Sequence, residues 1–241
     1  GTDDVIILAT GDDCSSGTAA TTVFDNTSAV DYADTPSVSS DDQQTYNFNS
    51  TPPLRGGVYL LCWCQGSSCD PDGDLSMFST DAGNLTIIGP DGTFDNAASP
   101  CVAGIANCTI TIDGTGFGTD DVIILATGDD CSSGTAATTV FDNTSAVDYA
   151  DTPSVSSDDQ QTYNFNSTPP LRGGVYLLCW CQGSSCDPDG DLSMFSTDAG
   201  NLTIIGPDGT FDNAASPCVA GIANCTITID GTGFGTDDVI I

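Results

Sequence analysis

Two consecutive stretches of this chain are identical over 117 residues, and this repeat constrains the fold more than any other feature. Residues 1–117 recur as residues 118–234, and residues 235–241 begin a third copy. A unit of this length is one ordinary domain, and tandem copies of one unit are typical of polymers and repeat arrays. The pattern therefore predicts a structural array rather than an enzyme with two catalytic domains.

The charge of the chain is almost entirely negative. All 34 acidic residues are Asp, the bases are Arg55 and Arg172 alone, and the net charge is −32. A nucleic-acid interface needs Lys and Arg for phosphate contacts, so this function is excluded, and docking to an anionic membrane is disfavoured. The charge permits cation binding and keeps an assembly soluble. Because His, Lys and Glu are absent, the usual catalytic bases are missing, and we predict that the chain is not an enzyme.

Each 117-residue module carries six cysteines, and no histidine accompanies them. The Cys-x-Cys spacing does not match the Cys-x2-Cys pairs of zinc knuckles. The even number therefore predicts three disulfides per module and an oxidising, extracellular compartment. The twelve predicted disulfide cysteines are Cys14, Cys62, Cys64, Cys69, Cys101, Cys108, Cys131, Cys179, Cys181, Cys186, Cys218 and Cys225.

Four Asn-x-Ser/Thr sequons occur in each module, which is the pattern of glycan acceptors on a secreted protein. Chance is the alternative, since the chain is rich in Asn, Ser and Thr. We predict covalent N-glycans on Asn26, Asn49, Asn84, Asn107, Asn143, Asn166, Asn201 and Asn224.

Short strand-like runs recur between turn residues, at 5–9, 23–24, 46–48, 58–64, 75–78, 85–88 and 108–112. The run 108–112 alternates between apolar and Thr residues, whereas 5–9 is continuously apolar, as in a strand buried on both faces. No window has a helical period, and no stretch reaches the ~18–20 apolar residues of a membrane helix. Roughly seven short strands per module predict an all-β fold and favour a β-sandwich.

Two stretches resemble a known family. CTITIDGTGFGTDDVIIL at 108–125, preceded by the turn Gly89-Pro90, resembles the opening of immunoglobulin-like domains of the IPT/TIG type, which run Gly-Pro turn, strand, Gly-x-Gly-Phe-Gly turn, strand. GGVYLLCWC at 56–64 resembles a late strand of such domains, and also repeats of giant filament-forming surface glycoproteins of algae and other microbial eukaryotes. The resemblance implies tandem Ig-like sandwiches. The high cysteine count differs from the family pattern, so the resemblance is a better guide to the fold of this chain than to its binding partners.

The resemblance also implies where the domains lie. A complete module runs over 88–204, residues 1–87 lack their first strands, and 205–241 are the first strands of the next module. Each incomplete piece would expose a sheet edge and half a core. We expect continuation of the chain, or strand complementation by a neighbouring copy, to complete them, so the expected partners are copies of itself in a filament.

For the cysteines, the favoured local scheme pairs Cys101 with Cys108, Cys64 with Cys69, and Cys14 with Cys62. The alternative is a pin across the core between Cys108 and Cys179, as in immunoglobulin domains.

One acidic cluster has the alternating spacing of an oxygen-ligand loop. Alternating Asp side chains in a Gly-containing turn can surround Ca²⁺, although Leu75 stands where a calcium loop of the EF-hand type needs Gly. The alternative is a polar turn held by Cys69. The pairs Asp3-Asp4, Asp12-Asp13 and Asp41-Asp42 are weaker candidates. The candidate Ca²⁺ ligands are Asp70, Asp72, Asp74, Asp187, Asp189 and Asp191.

Together these features predict a building block of an extracellular glycoprotein fibre. The alternative is an adhesin or receptor ectodomain that binds a carbohydrate or protein ligand. In that case the copies should diverge at their binding loops, and they are identical.

Overall fold

A computed structural model describes residues 3–21, 23–24, 32–40, 43–48, 53–71, 75–141, 148–150, 154–157, 159–165, 169–188, 192–212, 218, 220 and 226–238. These residues form β-strands and two short 3-10 helices, Leu75–Met77 and Leu192–Met194, and contain no α-helix. The all-β prediction is confirmed. None of the helices in these ranges is long and apolar enough to cross a bilayer.

The contacts divide the chain into two units. Unit 1 comprises Gly1–Gly92 with Asp113–Phe117, and unit 2 comprises Thr93–Ile112 with Gly118–Ile241. Unit 1 contains the strands β1 (Val5–Thr10), β2 (Thr18–Ala19), β3 (Tyr32–Ser40), β4 (Gln43–Asn47), β5 (Gly57–Cys64), β6 (Thr80–Ile87) and β7 (Gly89–Pro90). The later strands are β8 (Phe94–Asp95), β9 (Cys101–Val102), β10 (Thr109–Thr115), β11 (Val122–Thr127), β12 (Thr135–Ala136), β13 (Ser154–Ser157), β14 (Gln160–Asn164), β15 (Gly174–Cys181), β16 (Thr197–Pro207) and β17 (Gly231–Thr232).

In unit 1 the sheet order is β4-β3-β1-β5-β6, with β2 on β1. The central pair is antiparallel, with Ile6 opposite Trp63 and Leu8 opposite Leu61. Strand β1 buries both faces, as its continuous apolar sequence predicts. Ile7 packs into one cluster with Phe78, and Leu8 packs into another cluster on the opposite face.

Unit 2 has the same central register 117 residues later, with Ile123 opposite Trp180 and Leu125 opposite Leu178. Its sheet order is β12-β11-β15-β16-β17, and β8 and β9 run parallel to β16 along one side. Strand β14 lies between β13 and β10. Along β10, Cys108, Ile110 and Ile112 are buried while the intervening threonines are exposed, so the predicted alternation holds.

Two predicted strands are wrong. Residues 75–77 form a 3-10 helix that leads into the buried Phe78, which is 1% exposed, while Met77 is 39% exposed. Phe24 forms a single bridge with Pro53 instead of a strand, since proline has no N–H with which to extend the pairing. Strand β3, with its polar sequence around Pro36, was not predicted.

Five disulfides have both cysteines within the described residues: Cys14–Cys62, Cys64–Cys69, Cys101–Cys108, Cys131–Cys179 and Cys181–Cys186. They follow the local scheme, so the alternative Cys108–Cys179 pin is wrong. Cys218 is also disulfide-bonded, and Cys225 lies outside the described residues. In each copy, one bridge joins cysteines 48 residues apart in the sequence, and another joins cysteines 5 residues apart.

These two separations predict different contributions to stability. Removing Cys14–Cys62 with paired Ala substitutions should lower the free energy of unfolding of unit 1 by about 4 kcal/mol, against about 2 kcal/mol for Cys64–Cys69, because the longer loop loses more unfolded-state entropy on closure. Urea unfolding followed by tryptophan fluorescence measures both. The same substitutions at Cys131 and Cys179 are the matched control and should reproduce the larger loss. Equal losses for the long and short bridges would contradict the loop-closure explanation.

Candidate glycan acceptor sites and a buried polar network

Asn84 and Asn201 are predicted glycan acceptors that lie in β6 and β16, and both side chains are exposed. A strand turns every second side chain to the same face, so an Asn-x-Thr sequon in a strand presents Asn and Thr together. The middle residue points the other way: Leu202 is 0% exposed. This geometry leaves the Asn84 and Asn201 amides open to a glycosyltransferase.

Asn107 is the third predicted acceptor within the described residues. It is exposed and adopts a left-handed backbone with φ 69°, a conformation that Asn tolerates better than most residues. The next residue, Cys108, is buried in the disulfide to Cys101, and Thr109 of the sequon is exposed. The disulfide thus fixes a sequon at the start of β10. The other predicted acceptors, Asn26, Asn49, Asn143, Asn166 and Asn224, lie outside the described residues.

The predicted Ca²⁺ ligands are only partly described. Asp70 and Asp187 are exposed, whereas Asp72, Asp74, Asp189 and Asp191 lie outside the described ranges. Within those ranges no group of three or more His, Cys, Asp or Glu side chains is placed to hold a metal ion.

The Asp12-Asp13 pair serves a turn. Both carboxylate oxygens of Asp13 accept hydrogen bonds from Ser15 and Ser16, at 2.5–2.9 Å. In the second copy, the hydrogen bonds from Ser132 and Ser133 lower the pKa of Asp130 to about 2. These oxygens are already occupied by donors of their own loop.

A buried polar network around Asp121 was missed by the sequence analysis. The Asp121 carboxylate is 1% exposed and accepts hydrogen bonds from the backbone N–H groups of Gly118 (2.8 Å) and Gly183 (2.9 Å). The Gln161 amide donates to the Gly118 carbonyl, and Tyr163 donates to Gln161. Burial raises the pKa of Asp121, although the two backbone hydrogen bonds act in the opposite direction and lower it. Burial also raises the pKa of Tyr163.

Unit 1 contains the equivalent network. Asp4, which is 2% exposed, accepts from the Gly66 N–H (3.0 Å) and the Gln44 amide (3.1 Å). Tyr46 donates to Gln44, and the Trp63 indole donates to Tyr46 (3.2 Å). The network joins the start of β1 to β4 and to the turn after β5. The Gln-x-Tyr alternation and an Asp directly before an apolar strand were the available sequence signals.

Comparisons of the chain with protein-family models, with curated proteins and with solved structures gave no match. The resemblance to IPT/TIG-type domains therefore remains an expectation from short motifs.

The network predicts that Asp121 stabilises unit 2. Asp121→Ala should lower its free energy of unfolding by at least about 2 kcal/mol, because two backbone N–H groups lose their buried acceptor. Urea unfolding of the full chain measures the change. Asp120→Ala is the matched control, since Asp120 is exposed, and it should leave the midpoint nearly unchanged. Equal effects of the two substitutions would show that the network contributes nothing specific.

The strand geometry also predicts N-glycan occupancy. In chain secreted from eukaryotic cells, glycopeptide mass spectrometry should find glycans on Asn84, Asn107 and Asn201 and none on Asn96, which has no sequon. Thr86→Ala should abolish the glycan on Asn84 by removing the sequon hydroxyl, while Thr86→Ser should retain it. Unmodified Asn84 in the unsubstituted chain would contradict this prediction.

Proposed function

We propose that this chain is a structural building block of an extracellular, N-glycosylated fibre or surface filament made of end-to-end immunoglobulin-like modules. The observation that carries the proposal is the recurrence of one register after 117 residues. Ile6 faces Trp63 in β1–β5, and Ile123 faces Trp180 in β11–β15. A module that repeats its central strand pair and two of its disulfides suits an assembly in which every copy does the same mechanical work.

The compartment follows from the covalent chemistry. Five disulfides are typical of an oxidising, extracellular environment. The exposed Asn side chains at 84, 107 and 201 suit glycans that project from the surface. Together they support a secreted glycoprotein.

The composition supports a structural role over a catalytic one. A chain without His, Lys or Glu has only Asp for proton transfer. The most buried carboxylates, on Asp4, Asp121 and Asp148, are occupied by hydrogen bonds: Asp148 accepts from the N–H groups of Val140 and Phe141, at 2.7 and 3.0 Å. We propose that the buried acids stabilise turns.

The strand arrangement of unit 2 supports the immunoglobulin-like part of the proposal. β11, β15 and β16 form one antiparallel set, and β10, β14 and β13 form a second. Side chains of both sets are buried, including Ile112 and Leu125, both 0% exposed. Two antiparallel sets that each bury apolar side chains are what a β-sandwich requires.

Electron microscopy of the native material tests the proposed function. Micrographs should show filaments with a regular axial repeat and protruding density that a glycosidase removes. Discrete compact monomers in material taken directly from its source would contradict the fibre and favour an adhesin or receptor ectodomain.

A further inference from the structure

One valine in each copy is exposed although it lies in the central pair of strands. Val58 of β5 is 58% exposed and Val175 of β15 is 59% exposed, whereas every other residue of these strands is buried or half-buried. The exposure in unit 2, where β8 and β9 pair with β16, is the same as in unit 1. It therefore belongs to the module itself and does not depend on which strands lie beside it.

A predicted glycan acceptor shares the face of the sheet with this valine. Val175 lies opposite Thr203, and Leu177 lies opposite Asn201. Opposite residues of an antiparallel pair point to the same face, as do alternate residues of one strand, so Asn201 is the diagonal neighbour of Val175 at roughly 7–8 Å. The register of the first copy is the same, with Val58 opposite Thr86 and Leu60 opposite Asn84.

The face of the sheet beyond Leu177 is already covered. Leu177 and Cys179 belong to one buried cluster with Phe195, and they are 8% and 1% exposed. A sugar linked to Asn201 therefore finds packed side chains on this side and an open apolar side chain, Val175, on the other. The first copy has the same cluster, formed by residues that include Leu60, Cys62 and Phe78.

Asn201 also lies inside the sheet rather than in a loop. Strand β15 pairs with β16 on one side of it, and on the other side Asn201 lies beside Asp95 of β8. The first sugar of an N-glycan must therefore leave from the surface of the sheet. The Asp95 carboxylate already accepts the Ala97 N–H, at 2.8 Å. The ring of N-acetylglucosamine has an apolar C–H face and an acetyl methyl group, and both gain free energy by covering Val175.

We infer that the first N-acetylglucosamine of the glycan on Asn201 packs on Val175, and that the glycan on Asn84 packs on Val58 in the same way. This inference rests on the N-glycosylation in the proposed function and names what the glycan contacts. The sugar takes the place of water over the exposed valine. The contact fixes the direction in which the rest of the glycan leaves the sheet, so each module holds this glycan in one orientation.

Nuclear Overhauser effects test the contact in the full chain. The chain is secreted from eukaryotic cells with isotope-labelled valine methyl groups, and glycopeptide mass spectrometry establishes that Asn84 and Asn201 are occupied. The methyl groups of Val58 and Val175 should each show cross-peaks with N-acetylglucosamine protons. Absence of these cross-peaks at either valine of the occupied chain would overturn the inference.

Removal of one sequon at a time is the matched control. Thr203→Ala should abolish the sugar cross-peaks at Val175 and leave those at Val58, whereas Thr203→Ser keeps the sequon and should retain both. Thr86→Ala should have the reciprocal effect. A sugar cross-peak at Val175 that survives Thr203→Ala comes from another glycan and also overturns the inference.

The contact further predicts that the valines carry part of the stabilisation by the glycans. Enzymatic removal of all N-glycans should lower the urea midpoint of the chain. The drop should be smaller in a Val58→Thr, Val175→Thr double variant, because Thr offers the sugar less apolar surface. Trimming every glycan to one N-acetylglucosamine should leave both midpoints nearly unchanged, because the first sugar alone makes the contact. Equal drops in the two chains would contradict the inference.

These outcomes separate the inference from the proposed function. Occupied acceptors without a valine contact reject the inference and leave the glycosylated fibre standing. Unmodified Asn84 and Asn201 in secreted chain reject the inference, while filaments of that chain in micrographs keep the structural role. A sugar–valine contact in a protein that is monomeric at its source supports the inference and rejects the fibre.

Discussion

The antiparallel pairing of two apolar strands, β1 with β5 and β11 with β15, is the interaction on which the rest of each unit depends. Both strands of a pair bury both faces, so the pair forms the middle of the unit and everything else packs against it. The Cys14–Cys62 bridge ties the loop after β1 to β5, and the short Cys64–Cys69 bridge reverses the chain after β5. The disulfides thus hold the segments that leave the central pair, where hydrogen bonding of the strands ends.

The two units also show what this central pair cannot do alone. It leaves sheet edges on both sides, and an uncovered edge with apolar side chains is a site for pairing with another chain. Unit 2 covers its edges with residues 93–112, which precede its central pair in the sequence, and its Leu202 and Ile204 become fully buried. Burial of the same sequence therefore depends on whether a segment from the preceding copy is packed against it.

The parts of the fold that sequence analysis predicted are those with a local signal. The continuous apolar run 5–9 predicts a strand that is buried on both faces. The alternation at 108–112 predicts a strand that is buried on one face. The Cys64–Cys69 and Cys101–Cys108 bridges follow sequence proximity, whereas the Cys14–Cys62 pairing, 48 residues apart, was predicted only because those two pairs leave it over. The 3-10 helix at Leu75–Met77 and the polar strand β3 were not predicted, because their conformations depend on one buried Phe78 and on pairing with β1 rather than on any period. The Asp121 network joins residues 43 and 62 positions apart, so local signals such as the Gln-x-Tyr alternation do not identify which residues pair.

The aspartates have a second role besides the predicted cation binding, because many of them are hydrogen-bonded within the fold. A chain with 34 Asp invites a search for cation sites, yet many described carboxylates accept hydrogen bonds from nearby backbone N–H groups. Asp95, Asp198 and Asp208 each accept a hydrogen bond from the backbone N–H two residues on, at 2.7–2.9 Å. For Asp198 this bond lies at the register shift between β15 and β16. Asp suits this role because its short side chain reaches its own turn. Turns and strand irregularities thus use part of the acidity of the chain, because a carboxylate that accepts a backbone N–H stabilises the local change of direction.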